Sequence, residues 1–151
     1  MSQTYVLDTS TVLNLIRGKE LGKQIDTAFG LTRAMHRHTI SIVTHGELTV
    51  LAERNNWGEA KQNAVSAALD NLVTINIDSE ALIDAYVRIE QACRNVAGGE
   101  RKMGQNDMWI AATALVSGLP LITTDKDFNH LHGRVITVHW INPKLGNAVR
   151  S

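Results

Sequence analysis

The stretch GQNDMWIAATAL, residues 104–115, most constrains what this chain can fold into. Its apolar members Met108, Ile110, Ala111, Ala114 and Leu115 are spaced like the inward stripe of an α-helix, and Asp107 falls in the first turn. That predicts a carboxylate at the positive end of a largely buried helix. The macrodipole favours its ionised form there, and core filling does not account for it. Three more acids stand at comparable places: Asp8 after YVL, Glu47 in the first turn after THG, and Asp125 after LITT.

The rest of the chain reads as short apolar runs alternating with helical patterns. TYVL (4–7) is a buried strand that ends abruptly in Asp-Thr-Ser and feeds a helix from near Ser10, with Val12, Leu13 and Ile16 on its apolar side and Gly18 at its stop. A second helix runs from Lys19 to about Met35 through Leu21, Ile25 and Phe29. HTISIVT (38–44) has the branched, nearly unbroken composition of a parallel strand and hands over to a helix at 46–53. A helix at 57–69 would turn Ala60, Ala64, Ala67 and Ala68 inward. A strand at 72–76 follows, then a long amphipathic helix capped by Asp78 or Ser79 and reaching Val96. Residues 97–103 have no periodicity and read as a loop. Gly118 caps the organising helix, LPLITT is a core strand, and RVITVHW (134–140) is the last one.

Strands and helices in alternation predict an α/β fold with a mainly parallel sheet and helices on both faces. A length of 151 residues suits one domain, 1–151. Fifteen basic residues balance fifteen acidic ones, so no strongly cationic nucleic-acid-coating surface is expected, although a basic rim around an acidic centre is compatible with neutrality. The single Cys93 excludes an intrachain disulfide framework and fits a reducing compartment. With no signal-like or membrane-spanning segment, the expected location is the cytoplasm.

In such a sheet the functional crevice lies beyond the carboxyl ends of the strands, where Asp8 and Asp125 fall and where Glu47 and Asp107 open helices. Like charges gathered there repel unless they share protons or bind cations. Oxygen donors without a His or Cys cluster favour Mg²⁺ or Mn²⁺. Such an ion suits phosphodiester hydrolysis.

YVLDTS (5–10), THGEL (44–48), GQNDMWIAATAL and LITTDKDF (121–128) together resemble the signature segments of PIN-domain nucleases, most closely VapC-type toxins of bacterial toxin–antitoxin pairs. The resemblance covers nearly the whole chain in order and length. It implies a three-layer α/β/α PIN-like fold and a metal-dependent endoribonuclease acting on structured RNA such as tRNA, usually dimeric and neutralised by a VapB-like antitoxin. Carried over residue by residue, it makes Asp8, Glu47, Asp107 and Asp125 catalytic. Asp8, Asp107 and Asp125 would hold Mg²⁺ (or Mn²⁺), with Glu47 and Asp127 as further candidates, and Thr9 and Thr124 would support them. Arg101 and Lys102 are candidates for RNA phosphate contact. The helix around Ile83, Tyr86, Val87 and Ile89, with Val12, Leu13 and Ile16, offers apolar surface for a homodimer.

Each acid also has a structural reading. Asp8 would cap a helix, Glu47 would close a T-x-x-E capping box with Thr44, Asp107 would be a first-turn acid, and Asp125 and Asp127 would shape a turn. Taken singly these suffice, but together they leave four edge positions to coincidence. The remaining polar signals are weaker. His36, His38 and His45 suit surface or capping roles rather than a metal set. His132 and His139 are no better organised, although His130 is near enough in sequence to approach the acids. Trp57, Trp109 and Trp140 are too dispersed for a base-stacking platform. An aspartyl phosphatase would need a second acid two residues after Asp8, where Ser10 stands. An inactive interaction module would keep the fold without cation affinity.

Overall fold

The computed structural model describes residues 3–32 and 37–144. Five short strands, β1 (Val6–Leu7), β2 (Thr39–Ser41), β3 (Val73–Ile75), β4 (Leu121–Thr123) and β5 (Val138–Trp140), form one sheet in the order β3-β2-β1-β4-β5. Every pairing is parallel. The helices are α1 (Thr9–Arg17), α2 (Glu20–Phe29), α3 (Ile42–Arg54), α4 (Glu59–Asp70), α5 (Glu80–Arg94) and α6 (Gln105–Ser117), with a 3-10 helix at Lys126–Leu131.

Strand alternation explains the three layers. In β1, Val6 joins the core built from α5, α6 and the 3-10 helix, while Leu7 joins the opposite core with Val12, Ile25, Leu48 and Val65. Leu121 and Ile122 of β4 divide in the same way. An unbroken apolar pair therefore feeds two cores at once, which is why these strands look uniformly apolar. α1 and α2 meet closely at Gly22, where a Cβ would lie 2.2 Å from the Asn14 carbonyl oxygen. Any side chain there would force the two helices apart. Among the described residues no helix is long and apolar enough to cross a membrane.

Three boundaries and one helix face, among others, differ from the sequence expectation. The second strand stops at Ser41, whose side chain accepts from the Val43 N–H and opens α3, so Val43 and Thr44 are helical. Glu47 consequently lies in the second turn, and the Thr44–Glu47 capping box does not form. In α4 the buried residue is Val65; Ala60, Ala64 and Ala67 are exposed and Ala68 is half-buried. α2 ends at Phe29 with Gly30 left-handed, and the expected extension reaches residues 33–36, outside those described. The last strand starts at Val138 rather than Arg134, because a turn with Gly133 at φ 75° winds residues 131–136 back on themselves.

Burial also corrects the apolar surface. Ile89 and Val12 are core residues, and Tyr86 is half-buried against Trp109 with ring centroids 4.0 Å apart. Ile83 and Val87, one turn apart on α5, remain exposed. His38 is buried and its Nδ1 accepts from the Tyr5 N–H, so it is neither a surface residue nor a helix cap. His36 lies outside the described residues, and His45 is exposed.

Candidate active site

Strand order runs outward in both directions from the β1/β4 pair, which makes this pair the topological switch point of the sheet. Asp8 follows β1 directly and Asp125 follows β4 after one residue, so the fold brings both acids to the carboxyl edge of the same strand pair.

Asp8 is buried and tightly held. As the N-cap of α1, its Oδ1 accepts from the Thr11 N–H at 2.8 Å and from the Ser10 hydroxyl at 2.8 Å. The Thr123 hydroxyl donates to Oδ2 and itself accepts from the Asp125 N–H at 2.9 Å. A continuous hydrogen-bonded chain thus links the backbone of the Asp125 loop to Asp8. Burial pushes the Asp8 carboxyl above the usual range, and the Thr123, Thr11 and Ser10 hydrogen bonds partly oppose it. The capping reading and the position at the switch point hold simultaneously.

Thr9 connects the next acid. Its hydroxyl donates to Glu47 Oε1 at 2.6 Å and lies 3.1 Å from the Thr44 hydroxyl. Thr124 donates to the Ser10 hydroxyl at 2.9 Å, joining the β4 loop to α1. Asp125 caps the 3-10 helix by accepting from the Asp127 N–H at 2.9 Å, whereas Asp127 is exposed.

Asp107 lies in the first turn of α6, half-buried and facing this edge. Burial raises its pKa, and the charges of Asp125, Glu47, Asp8 and Asp127 raise it further, to about 6. All five predicted acids therefore act in one electrostatic field. They are not a closed cage: among the described residues no three His, Cys, Asp or Glu side chains are placed to hold an ion between them.

The other candidates separate. Arg101 and Lys102 are exposed in the loop just before α6. His130 turns inward, with Nε2 3.3 Å from the Cys93 sulfur, and burial and Arg101 lower its pKa. It is an inner packing residue. Sequence reasoning missed Ser10 and Thr123 as the groups that fix Asp8: the Thr123 hydroxyl acts from a strand that only the topology pairs with β1, whereas Ser10, two residues after Asp8, carries a local signal. It also missed Arg54 and Asn106, which line a shallow cleft with Thr9 and Glu47.

A family model described as PIN domain matches residues 5–133. The chain is 34% identical over 131 residues to Ribonuclease VapC5 of Mycobacterium tuberculosis, covering 85% of this chain and 87% of that protein. The toxin–antitoxin complex from Klebsiella pneumoniae superposes with a TM-score of 0.66 at 25% identity, covering 91% of this chain and all (100%) of that one. VapBC2 from Rickettsia felis, solved bound to a promoter DNA fragment, gives 0.72 at 18% identity over 91% and 98% of the two chains. With the matched region spanning most of its length and the acids gathered at the switch point, this chain belongs to the PIN-domain family and closely resembles its VapC-type toxins.

Proposed function

We propose that this protein is a divalent-cation-dependent endoribonuclease, the toxin of a toxin–antitoxin pair, with structured RNA such as tRNA as substrate. The observation that carries the reading is geometric: Asp8 and Asp125 follow the two central strands at the switch point, and Asp107, half-buried in the first turn of α6, lies in the field of those two and of Glu47 and Asp127. Acids with no cation among them are costly, and the donors are all hard oxygens. Mg²⁺ commonly uses one or two carboxylates rather than an all-protein cage, which suits acids that stand apart. Asp8, Asp107 and Asp125 would hold the ion, with Glu47 and Asp127 beside them. When bound, the ion supplies positive charge to the phosphodiester and makes water a stronger nucleophile.

The chain's own residues do the remaining work. Ser10, Thr11 and Thr123 fix the Asp8 carboxylate so that little reorganisation is needed at that atom. Thr9 orients Glu47 through its 2.6 Å hydrogen bond. Asp107 would hold the ion through one carboxylate oxygen and take a proton from the attacking water at the other. Arg101 and Lys102 supply phosphate contacts before α6. Hydrolysis by water leaves a 5′-phosphate and a 3′-hydroxyl.

A VapB-like antitoxin is the proposed partner, as in the toxin–antitoxin complexes the chain resembles. Its segment would lie in the cleft of about 710 Å³ lined by Val12, Leu15, Ile16, Ala64, Ala68 and Leu72. Ile83 and Val87 support self-association through α5, and light scattering would return twice the monomer mass for a dimer or the monomer mass against it.

Incubation of purified protein with tRNA in Mg²⁺ or Mn²⁺, followed by end mapping, tests the reading. Cleavage abolished by EDTA and 5′-phosphate ends are expected. Undiminished cleavage in EDTA, or cyclic-phosphate ends alone, overturn it.

A further inference from the structure

Trp140 ends the edge strand β5, in register with Thr123, whose hydroxyl holds Asp8. Val138, two residues earlier on the same face, is buried, yet Trp140 is 38% exposed. The indole is nonetheless fixed, because Nε1 donates to the Thr124 carbonyl oxygen at 3.2 Å. With its polar atom satisfied, what it turns to solvent is apolar ring.

A cleft of about 530 Å³ surrounds it, lined also by Thr124, Asp125, Lys126, Asn142 and Lys144. Both lysines are exposed. Asp125 borders this cleft and also acts on Asp107, so the cleft adjoins the acidic field. The other two tryptophans are engaged elsewhere: Trp57 is buried under the Lys61 ammonium at 4.0 Å, and Trp109 stacks on Tyr86.

We propose that this cleft is a nucleotide subsite, in which one unpaired base stacks on Trp140 while Lys126 and Lys144 contact the flanking phosphates. The ligand class rests on the ribonuclease reading. A fixed aromatic face in a cleft lined by exposed cations is the arrangement that recognises single-stranded nucleic acid. A base inside a duplex is already stacked on both sides, so the subsite selects a loop or unpaired end. A peptide helix would need several apolar anchors, and the cleft offers one large apolar face. A base seated here brings its neighbouring phosphodiester toward Asp125.

The test uses metal-free protein in EDTA, where binding is read without cleavage, with a ten-nucleotide oligoadenylate as probe and an RNA duplex of equal length as control. The oligoadenylate quenches tryptophan emission saturably and binds more tightly than the duplex. Trp140→Ala weakens it about tenfold or more. Trp140→Phe, which keeps an aromatic face but gives up the hydrogen bond to Thr124, retains more affinity than Trp140→Ala and loses the quench. Lys126→Ala and Lys144→Ala each reduce the slope of log affinity against log salt by about one. Equal affinity of wild type and Trp140→Ala, equal binding of the duplex, or no binding of the oligoadenylate overturns the subsite. The two readings fail separately. Binding through Trp140 without cleavage in Mg²⁺ keeps the subsite and removes the nuclease; cleavage indifferent to Trp140 does the reverse.

Discussion

Asp8 and Asp107 lie at the same edge of the sheet and are held in opposite ways. Asp8 is sunk at the end of a central strand and receives three hydrogen bonds, so its place is set by the scaffold. Asp107 stands half-exposed on a helix turn, and what acts on it, burial and four carboxylates, favours its protonated form. One acid is anchored and the other is held under repulsion. A site that must receive a cation and handle a proton needs both: a fixed point and a group whose charge responds when the ion arrives.

The largest expected effect comes from removing the responsive acid. Asp107→Asn should lower the RNA cleavage rate by roughly 10²–10⁴-fold, the range for loss of a positioned acid–base group. Circular dichroism should show an unchanged fold, because the side chain is not part of the core.

The anchored acid should divide activity from stability. Asp8→Asn keeps an acceptor for the Thr11 N–H and the Ser10 hydroxyl and removes a buried charge. Its metal-free melting temperature should stay near or above wild type while cleavage falls by orders of magnitude. Asp8→Ala removes the cap as well and should cost about 1–2 kcal/mol in denaturant unfolding. Equal losses of stability in the two variants would show that the cap matters less than the charge.

These contrasts bear on what was legible in the sequence. Asp8 and Asp125 were readable because an apolar run that stops at an acid fixes both the strand and its end, and Asp107 because the stripe that follows it has only one helical reading. Glu47 lies one turn deeper in its helix than the sequence expectation: Ile40, Ile42 and Val43 suit a strand or a helix alike, and periodicity does not show that Ser41 caps a helix there. The α4 alanines were read as inward because small apolar residues fit close packing, yet Val65 takes the core position. Trp140 looked isolated along the chain, and only the β4–β5 register brings it beside the acids. Local pattern carries element type and strand ends; groups that meet across paired strands, such as Thr123 with Asp8, have no local signature.

A smaller effect follows from titration of metal-free protein. The folded pKa of Asp107, about 6, lies above the ordinary aspartate value of 3.8, so between these values the folded state binds more protons than the unfolded state. Stability then falls as pH rises through this window, and burial of Asp8 acts in the same direction. Asp107→Asn should flatten the dependence and melt roughly 2–4 °C above wild type at pH 7.5, with the gain gone near pH 4. A variant as pH-dependent as wild type would place the repulsion elsewhere.

The smallest expected effect lies in the loop before α6. Lys102→Ala should leave Mn²⁺ affinity nearly intact, weaken RNA binding modestly, and lower the salt slope by about one. A loss of metal affinity would place Lys102 within the acidic site.

The central claim is that a cation neutralises the repulsion on Asp107. Calorimetric titration of Mn²⁺ at pH 6 in two buffers of different ionisation enthalpy measures protons released per ion bound. Burial and the neighbouring carboxylates hold Asp107 partly protonated at that pH, so wild type should release a fraction of a proton per ion, and Asp107→Asn should bind more weakly and release less. Saturable binding with no proton release, or with the same release in Asp107→Asn, would contradict the account.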